Sequence, residues 1–90
     1  MTEKEQLERD IPLMQSLQKL KEYKEFKEII TDYYLKDYCA EAVKASTYST
    51  NNTEYFLERA KAAGYLEQFF DFIENQGKEA EKNLIDYFNN

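Results

Sequence analysis

Carboxylates are the only side chains of this sequence present in the number and spacing that could do chemistry. Glu67, Asp71 and Glu74 step by four and three. That spacing puts three oxygen donors on one helical face, where a hard divalent cation could be held. The favoured reading is a solvated acidic face, and no metal is expected. Glu79 and Glu81 fall on different faces and make no site. The chain has no His, so nucleophile–His–acid arrangements and the Glu-x-x-His signature of di-iron bundles are excluded. With one Cys, neither a zinc cluster nor an intrachain disulfide can form. Cys39 sits between Tyr38 and Ala40 at an apolar helical position and reads as a small buried hydrophobe, with nothing basic placed to stabilise a thiolate. The two glycines, Gly64 and Gly77, are too far apart to cradle a phosphate. The expectation is a protein that is not an enzyme and binds no cofactor.

Composition limits the other classes. Ninety residues make a single domain, 1–90. Hydrophobic residues are 42% and charged residues 33%, with two Gly and one Pro, which argues for a packed helical chain over a disordered one. The net charge is −6. Neither half of the chain is basic, so direct binding to nucleic acid or to an anionic membrane lacks its main electrostatic term. No apolar run is long enough to span a bilayer. Met1-Thr2-Glu3-Lys4-Glu5 is charged where a secretion signal is apolar. A lone Cys suits a reducing compartment, so the expected location is a host cytoplasm or a virion rather than outside the cell. Asn51-Asn52-Thr53 matches a glycosylation sequon, idle in that setting.

The elements are helical throughout, because Glu, Lys, Ala, Leu and Gln dominate. The spacing predicts a helix over 2–20, capped by Thr2 with Glu5 and kinked near Pro12. A second helix is predicted over 22–33, with Lys21/Glu25 and Lys24/Glu28 as i,i+4 pairs, and a third over 34–45. Thr31-Asp32 marks the boundary between these two only weakly, and they could be continuous. Residues 46–52, rich in Ser, Thr and Asn, form a loop, with Asn51 placed to cap the next helix.

Residues 53–88 carry the strongest pattern. Phe56, Ala60, Ala63, Leu66, Phe70, Ile73, Gly77, Ala80, Leu84 and Tyr87 alternate steps of three and four, a coiled-coil-like seam that keeps phase through both glycines. One helix on the order of 50 Å long is predicted; a break at Gly77 is the alternative. Within it, Tyr65, Leu66, Phe69, Phe70, Phe72 and Ile73 spread over roughly 160° of arc, wider than one partner helix covers. Eight Tyr and six Phe exceed what so small a core can seat. Tyr33, Tyr34, Tyr48, Tyr55 and Tyr65 are expected to be exposed or shared with a partner. The fold class is therefore all-α, a small bundle of three to four helices with one long C-terminal helix. The predicted interface is Tyr65, Phe69, Phe70, Phe72 and Ile73, with Ala60, Gly64 and Gly77 permitting close approach.

Phe26-Lys27-Glu28-Ile29, then Asp32-Tyr33-Tyr34-Leu35-Lys36-Asp37 leading into Ala42-Val43, resembles the first half of a group of small tailed-bacteriophage proteins. Ala63-Gly64-Tyr65-Leu66-Glu67-Gln68-Phe69 and Gly77-Lys78-Glu79-Ala80-Glu81 are similar to the group's later helices, so the resemblance spans residues 17–88. Asp32 stands where the group has Gly. The resemblance implies a protein encoded near head or packaging genes, a small virion or assembly component, and brings no catalytic residues. The expected function is an interaction module that forms a homo-oligomer or docks on a larger phage assembly. The alternative is an acidic inhibitor that covers a basic surface of a host defence or transcription protein.

Overall fold

The computed structural model describes residues 2–48 and 51–89, with Glu3 described by its backbone alone. Among them there is no strand. Helix α1 spans Glu3–Glu22 and α2 spans Lys24–Phe26; a π-helical segment over Lys27–Tyr38 leads into α3, Cys39–Tyr48. Helix α4 runs unbroken over Thr53–Asn89. No helix among the described residues is long and apolar enough to cross a membrane.

Helix α1 begins as its cap residues direct: the Glu5 N–H donates to the Thr2 hydroxyl at 3.2 Å, and the Gln6 N–H to the Thr2 carbonyl at 3.0 Å. It passes through Pro12 as one helix. Proline removes one donor and leaves the carbonyl four residues back unpaired; Pro12 and Glu8 are both exposed, so water can take that role. Asp10 does not start a new helix there. Its carboxylate instead accepts from Arg9 Nε at 2.9 Å.

The chain breaks at Tyr23, two residues after the expected gap, with extended dihedrals of φ −71° and ψ 132°. This separates Lys21 from Glu25, so only Lys24–Glu28 forms of the two expected pairs, at 3.6 Å. The boundary at 33/34 is absent. Thr31 and Asp32 lie inside the π-helical segment, and helix continues to Tyr48. A π turn closes i→i+5 hydrogen bonds, which brings side chains five apart into contact. Tyr33 meets Tyr38 edge-on at 5.7 Å while Tyr34 stacks on Tyr38 at 5.8 Å. The expected loop is shorter than 46–52: Ser46 and Thr47 stay helical by returning their hydroxyls to the carbonyls of Val43 and Lys44. Ser49 and Thr50 of that loop lie outside the described residues. Helix α4 starts one residue later than an Asn51 cap implies, its first turn closed by Phe56 N–H on the Asn52 carbonyl.

Two compact units divide the chain, residues 1–21 with 69–90 and residues 22–68. In the first, α1 runs antiparallel to the end of α4 in constant register. Leu7 lies beside Leu84, Met14 against Gly77, and Lys21 at Phe70 and Glu74. Its buried residues are Asp10, Met14, Leu17, Gly77 and Ala80. In the second unit the π-helical segment and α3 run antiparallel to the start of α4. Cys39 Sγ lies 3.7 Å from the Ala60 carbonyl, and the Thr53 hydroxyl donates to the Ser46 carbonyl at 3.3 Å. Ala42 and Ala63 are buried there.

Candidate interaction face

The seam of α4 is where its periodicity places it: every position from Phe56 to Leu84 in that series is buried or half-buried. Only Tyr87, at the end, is exposed. The apolar arc over 65–73 divides accordingly. Leu66, Phe70 and Ile73 belong to the seam and are half-buried. Tyr65, Phe69 and Phe72 stand outside it, 54–64% exposed.

In the first unit the outer rings Phe69 and Phe72 meet a second apolar element. Leu13 of α1, 47% exposed, joins Phe69, Phe72 and Ile73 around an open groove, with Arg9, Asp10 and Gln76 at its edge. Leu13 comes from the turn of α1 that also buries Met14, so the seam contact fixes its direction. Farther along the same unit, Gln6, Asp10, Gln76, Glu79 and Asn83 line a small polar recess that shares Asp10 and Gln76 with the groove. A second apolar groove lies between Leu7, Leu84, Tyr87 and Phe88, flanked by Lys4 and Glu8.

The small residues behave differently from one another. A Cβ added at Gly77 would overlap Met14 Cβ and come within 2.6 Å of its Sδ. Close approach there is made by α1 of the same chain. A Cβ at Gly64 would meet nothing within 4 Å, so that glycine permits no close contact inside the second unit. Ala60 is half-buried, its carbonyl facing Cys39.

The carboxylate series does not converge. Glu67 and Asp71 are exposed, while Glu74 accepts from Lys21 Nζ at 2.5 Å. Among the described residues no three His, Cys, Asp or Glu side chains lie close enough together to hold a metal ion. Of the tyrosines expected outside, Tyr33, Tyr48, Tyr55 and Tyr65 are exposed and Tyr34 is half-buried against Tyr38.

One feature of the second unit escaped the sequence reading. The Arg59 guanidinium lies 4.2 Å from the Tyr38 ring centre, with Tyr55 and Phe56 at 5.6 and 5.7 Å. Its Nε is buried without a hydrogen-bond partner. The signal available was an Arg three and four residues after two rings, at i−3 and i−4 on one helical side. Leu13 was likewise missed, because it lies one residue off the apolar stripe that the spacing of the first helix sets, Leu7, Ile11, Met14, Leu17 and Leu20. Comparison with protein-family models, with curated proteins and with solved structures finds no match to this chain.

Proposed function

We propose that this protein is a non-enzymatic interaction module that oligomerises or docks through its long C-terminal helix, and that it serves as a small bacteriophage virion or assembly component. The observation that carries the docking reading is the exposure of Phe69 and Phe72 together with Leu13 around one groove. Apolar surface gathered this way has no role in the seam beneath it, and aromatic residues dominate the energetics of protein contacts. The phage assignment rests on the resemblance over residues 17–88. Exposed acids such as Glu67, Asp71 and Glu81 support the second reading, an acidic inhibitor of a basic host protein.

A pull-down from the native source separates the two. Apolar docking keeps its partner between about 0.05 and 0.5 M salt, whereas capture by an acidic face falls steeply over that range. Phe69→Glu with Phe72→Glu abolishes capture in the first case. Unchanged capture by that double variant, lost on adding salt, replaces docking with acidic inhibition.

A further inference from the structure

We propose that the occupant of the Leu13–Phe72 groove is the same groove of a second copy of this chain, joined about a two-fold axis that runs along the helices. This rests on the docking reading above and names its partner. The first argument is charge. Along one side of the first unit's seam, the heptad repeats Gln6–Leu13–Leu20 of α1 and Phe69–Gln76–Asn83 of α4 carry no charged side chain, in a chain where a third of residues are charged. The other side of the seam carries Lys4, Glu74 and Glu81. A chain of net charge −6 repels its own copy least through its uncharged side.

The margins of that uncharged side carry opposite signs, Arg9 on α1 and Glu79 on α4. The constant antiparallel register puts Arg9 level with Lys82, so Glu79 lies three residues off, about 4–5 Å along the unit. A two-fold axis along the helices lays α1 of one copy over the end of α4 of the other, antiparallel and at equal height. It therefore brings the long Arg9 side chain within reach of the other copy's Glu79, and Leu20 over Phe69 and Phe72. The result is a four-helix arrangement in which every neighbour is antiparallel, the usual packing for short-looped bundles, with an isologous interface.

The second argument is area. Leu13, Leu20, Phe69 and Phe72 are each 43–56% exposed. Together they offer roughly 400 Å² of apolar surface per copy. With the flanking amides, two copies would bury on the order of 1,200 Å², the lower edge of specific interfaces. Area alone does not set affinity, so the dimer is sought at high protein concentration.

The test is the mass of the full chain by light scattering during size exclusion, at about 100 μM. The wild type is expected at twice the chain mass. Phe72→Glu is expected at the single-chain mass, with its helical circular dichroism unchanged, because Phe72 lies outside the seam. Lys82→Glu, on the exposed side of α4 away from the groove, is expected to remain a dimer. Should Phe72→Glu lose helix as well, Leu13→Gln replaces it as the test variant. A wild type at single-chain mass overturns the second-copy inference. If Phe72→Glu nevertheless loses a partner in the pull-down, the docking reading survives that failure. A wild-type dimer that either folded groove variant leaves intact overturns the assignment of this face.

Discussion

The two glycines of α4 offer the same substitution with opposite predicted sign. At Gly64, alanine restricts the unfolded chain and meets no neighbour within 4 Å. It should therefore gain the helix-propensity difference, about 1 kcal/mol. At Gly77 the same gain is opposed by overlap with Met14. The nearest obstruction includes Met14 Cβ, which is fixed to the backbone, so a rotamer change cannot relieve it. Helix α1 must move, and overpacking of this kind costs about 1–3 kcal/mol; the overlap argues for the upper half of that range. The net effect of Gly77→Ala is then a loss of about 1–2 kcal/mol after subtracting the propensity gain. In a chain of this size that is a fall in Tm of roughly 4–16 °C, against a rise of roughly 4–8 °C for Gly64→Ala. Urea unfolding followed by circular dichroism reads both, and the sites are far enough apart in sequence for their effects to be additive. Moving the glycine across the seam is the decisive control: in a Met14→Gly background, Gly77→Ala should become stabilising. The reasoning is refuted if Gly77→Ala raises the urea midpoint of the wild type as Gly64→Ala does.

Arg59→Ala should lose about 1–2 kcal/mol, from the cation held over Tyr38 and from its packed methylenes. Arg59→Met keeps the packing and removes the unpartnered Nε, so its urea midpoint should lie close to wild type; a loss equal to that of alanine would show that the charge itself is required. Asp10 occupies a seam position between Leu7 and Leu17, buried with Arg9 as its ion-pair partner. Asp10→Leu should raise stability by about 1–2 kcal/mol, because a buried ion pair is often worth less than an apolar contact. Thermal unfolding checks it, and a lowered Tm would mean that the carboxylate holds more than Arg9.

The long helix was legible because the alternation of three and four keeps phase through both glycines, and its seam positions from Phe56 to Leu84 are ones the chain covers, Tyr87 being exposed. A break between the first two helices was expected at residue 21 and falls at Tyr23; its exact place was not legible. No glycine, proline or capping side chain marks it, and the residue that turns the chain is a tyrosine that makes no side-chain cap, its carbonyl accepting from the Lys27 N–H at 3.1 Å. The π-helical segment defeated the reading for a related reason. The stripe that the spacing of 22–33 predicts, Tyr23, Phe26, Ile29, Ile30 and Tyr33, assumes 3.6 residues per turn. In the wider turn Ile29 rotates out to 62% exposure, and ring contacts at spacings of four and five replace it. The missing Lys21–Glu25 pair follows from the same break, which leaves Lys21 at the end of α1 to meet Glu74 instead. On the candidate interaction face, the wide arc of rings over 65–73 was visible in the sequence. Its division into seam and outer rings was not, because that depends on which side α1 occupies.

The fate of the rings also bears on why this sequence carries so many. Nine of the fourteen are exposed: Tyr23, Tyr33, Tyr48, Tyr55, Tyr65, Phe69, Phe72, Tyr87 and Phe88; the other five are half-buried. Among the described residues the buried apolar positions and glycine are instead small or slender, Ala42, Ala63, Gly77 and Ala80 with Met14 and Leu17. Small seam residues let helices approach closely and leave little room for rings between them. Had the aromatic excess served to enlarge the core, rings would replace these alanines at seam positions, as Phe70 does. They stand one position to the side, at Phe69, or two, at Phe72. There they add little to folding and remain available to whatever meets that side. The cost of such exposed apolar surface is a tendency to associate, and the uncharged repeat beside Leu13 and Phe72 lowers the barrier to association on that side. Packing economy in the seam and aromatic density outside it are therefore two consequences of one arrangement: thin helical pairs that hide little of their own surface and present the remainder.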